Sequence, residues 1–158
     1  MTQLADVGVF GLSVMGGNLA RNAARHSYSV ALFNRNGART EELVSRHGSE
    51  GRFVTAKSLA EFVAALAKPR AVIIMVKAGA PVDEVIDELL PHLEGGDVVV
   101  DAGNSLFTDT NRRALSLKAK GIRFLGMGVS GGWLGCSGAS ESPRRWSGLA
   151  AQNKLQMP

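Results

Sequence analysis

The chain has 158 residues, of which 45% are hydrophobic and 20% charged, and its formal net charge is +4. This length and composition predict a soluble globular domain with a sizeable core, and they exclude a membrane-spanning helix because no apolar run approaches roughly 18 residues. The basic residues are spread along the chain rather than gathered in a stripe, which argues against a nucleic-acid-binding surface.

The first predicted elements form a strand, a glycine turn, a helix and a second strand. The two strands are the apolar runs Val7 to Phe10 and Val30 to Phe33, as expected of strands buried on both faces. Between them, the turn from Gly11 to Gly16 has the pattern G-x-S-x-x-G and leads into a helical pattern. Such a unit holds the pyrophosphate of a dinucleotide at a helix N-terminus.

Each small residue of the turn is explained by the space available at its position. At Gly11 the chain turns sharply from strand to helix, and at Gly16 the helix must pack closely on the sheet. Ser13 replaces the usual middle glycine and is still small enough to let a pyrophosphate approach. Because glycine turns are common in other βαβ units, the flanking strand and helix carry much of this prediction.

The residues after the second strand indicate which dinucleotide binds. NAD sites usually have Asp or Glu here, to accept hydrogen bonds from the ribose 2′-hydroxyl. This chain has Asn34 and Arg35 instead. A guanidinium binds a 2′-phosphate with two hydrogen bonds, and no carboxylate follows the strand to repel it. The sequence therefore favours NADP over NAD, the alternative being that Arg35 is a solvated surface residue.

The rest of the chain alternates strands with helices. Its predicted strands are the apolar runs Phe53 to Val54, Ala71 to Val76, Val98 to Val100 and Ile122 to Leu125. The predicted helices begin at a capping box from Ser58 to Glu61, at Pro81 and at Thr108. Gly48 to Gly51 is predicted to be a loop. The alternation predicts an α/β fold, a doubly wound parallel sheet with the strand order 3-2-1-4-5-6.

Three loops follow strands at the edge of the sheet where ligands bind in such folds: Val76 to Gly79, Asp101 to Ser105 and Gly128 to Gly132. Lys77 is either a cationic contact or a solvated lysine. Asn104 suits a ribose or sugar hydroxyl, although Asn also stabilises turns. The third loop offers backbone N–H groups to an anion, or simply turns the chain.

Five segments, GLSVMGGNLARN, FNRN, IIMVKAG, DAGNS and GVSGG, occur in this order and spacing. Together they resemble the NADP-binding domain of 6-phosphogluconate dehydrogenase over residues 4 to 132. The resemblance implies a Rossmann-type NADP-binding domain at residues 1–132. It also implies a cytoplasmic, homodimeric enzyme of the pentose phosphate pathway, which oxidises and decarboxylates 6-phosphogluconate to ribulose 5-phosphate.

The same resemblance implies site residues by position. The implied cofactor contacts are Gly11, Leu12, Ser13, Val14, Met15 and Gly16 at the pyrophosphate, Asn34, Arg35 and Asn36 at the adenosine 2′-phosphate, and Val76, Lys77, Ala78 and Asn104 further along. The implied substrate contacts are Asn104, Ser130, Gly131 and Gly132. The family usually has threonine in place of Asn36 and glycine in place of Ala102.

The sequence departs from the family after Gly132. The family continues with an acidic, glycine-rich segment, a lysine general base, a glutamate general acid and a large all-helical domain that builds the dimer. Residues 133–158 show neither helical nor strand periodicity and are predicted to be a divergent, disordered tail. We hypothesise a shift of reading frame just after Gly132. The surroundings of Lys154 do not match the catalytic lysine, so we expect no catalytic residue and no turnover.

The histidines and the cysteine suggest no metal site. His26, His47 and His92 are isolated, and none has a metal-ligand spacing from Cys136. A single cysteine excludes an internal disulfide, and the N-terminus lacks the pattern of a secretion signal, so we expect a cytoplasmic protein.

Two other functions fit parts of the pattern. A β-hydroxyacid dehydrogenase of the 3-hydroxyisobutyrate type shares the glycine turn and an S-G-G loop, but it usually carries a serine-threonine loop where this chain has Asp101 to Ser105. A non-enzymatic module that senses NADPH, or acts only through a partner, would need the same cofactor residues and no catalytic ones.

Overall fold

A computed structural model describes residues 4–129. It contains one sheet of six parallel strands in the order β3-β2-β1-β4-β5-β6. The strands are β1 (Val7–Phe10), β2 (Ser29–Phe33), β3 (Arg52–Thr55), β4 (Ala71–Ile74), β5 (Val98–Asp101) and β6 (Arg123–Gly126). The predicted doubly wound sheet and its strand order are confirmed.

Five α-helices connect the strands. They are α1 (Val14–Arg25), α2 (Gly37–His47), α3 (Leu59–Ala64), α4 (Ala80–Leu89) and α5 (Phe107–Lys118). Short 3-10 turns, Gly48–Glu50 and Leu90–His92, extend α2 and α4. Within the described part of the chain, no helix combines the length and the apolar character needed to cross a membrane.

The sheet separates two apolar cores. On one face, α1 and α2 pack on strand residues such as Val9 and Leu32. On the other face, α3, α4 and α5 cover residues such as Val72 and Ile74. These strand side chains are at most 2% exposed on either face, which is why the strands read as continuous apolar runs.

Besides small differences in strand bounds, two features differ from the sequence prediction. Helix α2 has no counterpart in the sequence prediction, because its buried side chains are only Thr40 and Leu43, which are too few to give a clear apolar stripe. The predicted loop at Gly48 to Gly51 instead contains a 3-10 turn that leads into β3. In both places hydrophobic periodicity carries little signal, and packing against the sheet decides the conformation.

The order of the strands creates a crevice. The chain leaves β3 at one side of the sheet, crosses back through α3, and enters β4 beside β1. The connections after β1 and β4 therefore diverge to opposite faces, and ligands of open α/β sheets bind at this switch point, outside the carboxyl ends of the strands. The predicted tail, residues 133–158, lies outside the described residues.

A candidate dinucleotide site

The turn after β1 is so tight that only glycine fits at its ends. Gly11 has a φ of 97°, and a Cβ added there would lie 2.3 Å from the backbone oxygen of Met75. A Cβ on Gly16 would lie 1.9 Å from the backbone oxygen of Gly11. The first turn of α1 therefore packs directly on the turn that precedes it, as the sequence argument required.

The N-terminus of α1 is open towards the crevice. Ser13 is its N-cap residue and its side chain makes no capping hydrogen bond, while the first turn contains no acidic residue. The next residue, Val14, is 74% exposed. A helix end of this kind presents backbone N–H groups and the positive end of its dipole to an anion.

Asn34 ties the end of β2 to the glycine turn. Its side-chain oxygen accepts a hydrogen bond of 2.9 Å from the N–H of Leu12. Its side-chain nitrogen donates one of 3.0 Å to the backbone oxygen of Asn36. The side chain of Asn36 is engaged as well, because it caps α2 by accepting from the N–H of Ala38. Both asparagines thus shape the backbone around Arg35.

Arg35 is 53% exposed and lies beside two carboxylates. Its Nη2 is 2.7 Å from an oxygen of Glu88, and its Nη1 is 3.6 Å from an oxygen of Glu84. Both glutamates belong to α4, which is remote in sequence. The sequence prediction that no carboxylate opposes Arg35 is correct for β2 and its loop, but the fold brings in carboxylates that a local reading does not detect.

The loop after β4 passes beneath the glycine turn and leads into α4. Lys77 is exposed, whereas Val76 and Ala78 are partly buried. Gly79, with a φ of 99°, is the N-cap residue of α4. This loop touches the loop after β5, since a Cβ on Gly103 would lie 2.6 Å from the backbone oxygen of Val76.

The loop after β5 is built around a buried carboxylate. Asp101 is 2% exposed, and it accepts hydrogen bonds from the N–H of Gly103 at 3.0 Å and from the hydroxyl of Ser105 at 2.5 Å. Between them Asn104 adopts a left-handed conformation, with a φ of 59°, and is exposed. Asp101, Asn104 and Ser105 line a cleft of about 380 Å³. The remaining lining residues are Phe107, Thr110, Asn111, Gly126, Met127 and Gly128.

The sequence analysis does not include Arg113 or Asp83 in the site, although both lie beside this loop. Arg113 is 2% exposed and forms hydrogen bonds with both Asp83 and Asp101. The hydrogen bonds from Arg113, joined by those from Arg112, lower the pKa of Asp83 to about 2 against the opposing effect of burial. Both arginines belong to a helix that reads as polar, so the sequence gives no sign that one is buried.

The fold gathers most of the predicted cofactor residues at one edge of the sheet. The glycine turn and the segments from Asn34 to Asn36 and from Val76 to Ala78 follow adjacent parallel strands, and Asn104 follows the next one. Ser130, Gly131 and Gly132 lie outside the described residues. Within residues 4–129, no cluster of three or more His, Cys, Asp or Glu side chains has a geometry suited to a metal ion.

A sequence model described as the NAD binding domain of 6-phosphogluconate dehydrogenase matches residues 6–141. A decarboxylating 6-phosphogluconate dehydrogenase from Chlamydia trachomatis is 49% identical over 132 residues. That match covers 84% of this chain and 28% of the relative. The chain therefore spans little more than a quarter of the length of such curated relatives.

Solved structures agree with this similarity. The 6-phosphogluconate dehydrogenase of Plasmodium falciparum, studied in apo form and in complex with its cofactor NADP+ and its substrate 6-phosphogluconate, is 40% identical, with a TM-score of 0.79. That match covers 84% of this chain and 28% of the other. A 3-hydroxyisobutyrate dehydrogenase from Salmonella typhimurium is 26% identical, with a TM-score of 0.71, over 84% of this chain and 45% of the other.

Proposed function

Since this chain belongs to the family of NAD-binding domains of 6-phosphogluconate dehydrogenase, we propose that it binds NADP at the carboxyl edge of its sheet. The observation that carries the proposal is the glycine turn. At Gly11 and Gly16 the neighbouring backbone leaves no space for a side chain, and the side chain of the N-cap residue of α1 makes no capping hydrogen bond. The N–H groups of the turn, from Gly11 to Gly16, would hold the pyrophosphate. Arg35 would hold the 2′-phosphate.

The remaining predicted contacts extend this proposal along the crevice. Val76, Lys77 and Ala78 would line the middle of the cofactor, and Asn104 would contact its far end. The substrate would meet Asn104 and the segment Ser130 to Gly132. In this arrangement the domain supplies the electron acceptor to an oxidoreductase that oxidises and decarboxylates 6-phosphogluconate.

The relatives support a proposal for the activity of the whole enzyme. The Plasmodium falciparum relative is described with NADP+ and 6-phosphogluconate, and it shares this fold at 40% identity. We place the enzyme in the pentose phosphate pathway of the cytoplasm, as a homodimer whose contacts lie largely outside this domain. The lower identity of the 3-hydroxyisobutyrate dehydrogenase makes that reaction the weaker candidate.

A titration of NADPH and NADH against the purified chain tests the cofactor proposal. We expect NADPH to bind more tightly, and Arg35→Ala to weaken NADPH by about 1.5–3 kcal/mol, as for a lost charge-assisted hydrogen bond, while leaving NADH unchanged. The matched control is Arg46→Ala, which removes another exposed arginine that is paired with a glutamate. Equal affinity for the two cofactors, or an equal loss of both in Arg35→Ala, would refute the assignment.

A further inference from the structure

We infer that Arg113 is a positioning residue, which holds the loops after β4 and β5 in the spacing that the second half of the cofactor requires. The inference rests on the proposed NADP function. It is carried by the hydrogen bonds of one buried guanidinium, which joins α5 to the loop after β4 and to the loop after β5.

On the β4 side, Arg113 forms hydrogen bonds with the beginning of α4. Its Nε donates to one carboxylate oxygen of Asp83 at 2.9 Å, and its Nη2 donates to the other at 3.0 Å. The same Nη2 donates to the backbone oxygen of Gly79 at 2.9 Å. Since Gly79 ends the loop from Val76, these bonds set where that loop terminates.

On the β5 side, Arg113 supports the loop that carries Asn104. Its Nη1 donates to Asp101 at 3.2 Å and to the hydroxyl of Ser105 at 3.0 Å. Ser105 in turn donates to Asp101. Asn104 therefore lies in a short segment, from Asp101 to Ser105, whose two ends are both hydrogen-bonded to the guanidinium of Arg113.

Burial makes this arrangement specific. The side chains of Arg113 and Asp101 are 2% and 1% exposed. Charges removed from water in this way are stable only when they are paired with good geometry, so alternative positions of the loop that break the pair are strongly disfavoured. A lysine would keep the positive charge, but it is a point charge and does not reproduce the planar fork that reaches both loops.

The loops after β4 and β5 are also packed closely against each other. The backbones of Gly103 and Val76 are in direct contact. A dinucleotide lies across such a sheet with one mononucleotide on each half, and here the adenine half belongs beside Arg35, next to β2. The nicotinamide half then belongs beside the loops after β4 and β5, which Arg113 joins.

The test compares the intact chain with Arg113→Lys and with a matched control, Arg70→Lys. Arg70 also pairs with a buried aspartate, Asp97, at 3.0 Å, and it bridges β4 and β5 at the opposite, amino edge of the sheet. Each protein is titrated with NADPH and with adenosine 2′,5′-bisphosphate, which represents the adenine half alone. Thermal unfolding of each variant is recorded alongside.

We expect Arg113→Lys to weaken NADPH at least tenfold while changing the affinity for adenosine 2′,5′-bisphosphate less than twofold. Arg70→Lys should lower the melting temperature and leave both affinities within twofold of the wild type. An Arg113→Lys variant that loses both ligands equally, or neither, would show that the residue has a merely structural role and would overturn the inference.

If Arg113→Lys does not fold, Asp83→Asn decides the question. Asp83→Asn removes the charge through which Arg113 holds α4, while Arg113 keeps Asp101 as a charged partner and the backbone oxygen of Gly79 as an acceptor. A loss of NADPH affinity of at least threefold, without a change for the bisphosphate, supports the inference, and unchanged NADPH affinity overturns it. Wild-type protein that binds neither ligand would instead refute the proposed function, and this inference with it.

Discussion

At the scale of single residues, the most informative side chain is Arg35, because it is paired with carboxylates of α4. Its guanidinium lies 2.7 Å from Glu88, and both side chains are about half exposed. A 2′-phosphate that approaches Arg35 therefore meets the field of Glu88 and Glu84 as well. The affinity for NADP reflects an exchange of partners rather than the filling of an unpaired cation.

Replacing Glu88 tests this exchange. Glu88→Gln removes the carboxylate nearest to Arg35, and we expect tighter binding of NADPH by about 0.2–1 kcal/mol, the usual scale of an exposed ion pair. NADH, which lacks the 2′-phosphate, should be unaffected. The measurement is a calorimetric titration at low and at high salt.

Asp87→Asn is the matched control for Glu88→Gln, since it makes the same change of charge at an exposed position of the same helix. If both variants strengthen NADPH binding equally, the effect is a general one of net charge, and the specific competition at Arg35 is absent.

Gly16 gives a second prediction at this scale. A methyl group there would fall 1.9 Å from the backbone oxygen of Gly11, so Gly16→Ala must push α1 away from the turn. We expect a loss of stability of about 1–3 kcal/mol, together with loss of NADPH binding. Thermal unfolding and titration measure the two effects.

Gly95→Ala is the control for Gly16→Ala, because a Cβ at Gly95 meets nothing within 4 Å. Its stability and NADPH affinity should stay close to those of the wild type. A Gly16→Ala protein that behaves in the same way would mean that the turn tolerates a side chain, and the main support for the dinucleotide site would be lost.

At the scale of elements, the sequence predicts the strands better than the connections. β1 has the predicted bounds, since a strand buried on both faces is a continuous apolar run. The cap predicted at Ser58 is also present, since its side chain accepts from the N–H of Glu61, but the Glu61 carboxylate accepts from the N–H of Lys57 rather than from that of Ser58. Helix α2 has no such signature, and its N-cap residue, Asn36, enters the sequence prediction only as a ligand contact.

The same limit applies to the site. The glycine turn and the loop of Asn104 are local in sequence, and their backbone geometry can be predicted from the residue types. Asp83 and Glu88 join this edge through contacts with Arg113 and Arg35, which are 30 and 53 residues away in the sequence. The sequence of a polar helix alone does not indicate which of its charged residues will be buried in the fold.

The contact between α1 and the turn after α2 gives a prediction about pH. Hydrogen bonds from Arg21 lower the pKa of Glu50 from 4.5 to about 2, against the opposing effect of burial. Because this pKa is lower in the folded chain than in the unfolded one, the pair stabilises the fold fully above pH 4.5. Its contribution is lost as the pH falls towards 2.

Glu50→Gln should therefore flatten the decline in stability between about pH 5 and pH 2, by an amount on the order of 2 kcal/mol, while lowering stability at pH 7. Urea unfolding at several pH values measures this. Glu42→Gln is the control, since Glu42 pairs with Arg46 at the exposed surface. An unchanged pH profile in Glu50→Gln would contradict the role given to the pair.

At the scale of the whole molecule, the two edges of the sheet are built differently. The amino edge between β4 and β5 is closed by Arg70 and Asp97, with Lys68 and Glu94 beside them. The carboxyl edge carries the glycine turn and the loops after β4 and β5. At the amino edge the ion pairs close the surface, whereas at the carboxyl edge Arg113 lies buried beneath the loops and the first turn of α1 is exposed.

Hydrogen exchange should reveal this asymmetry. We expect NADPH to slow exchange in the first turn of α1 and in the loops from Val76 to Gly79 and from Asp101 to Ser105, because ligand contacts suppress local opening. The segment from Glu94 to Asp97, at the other edge, is the internal control and should not change. Protection spread evenly over both edges would mean that the cofactor stabilises the domain globally without binding where we propose.

Helix α4 is fastened at two points that belong to different parts of the crevice. Glu88 pairs with Arg35 after β2, and Asp83 on the same helix is held by Arg113 beside the loop after β5. A helix held by ion pairs at two points resists displacement at either point. We therefore expect the remaining pair to hold α4 in place when a ligand breaks the other one, so that a change on one side of the crevice leaves the opposite side nearly unaltered.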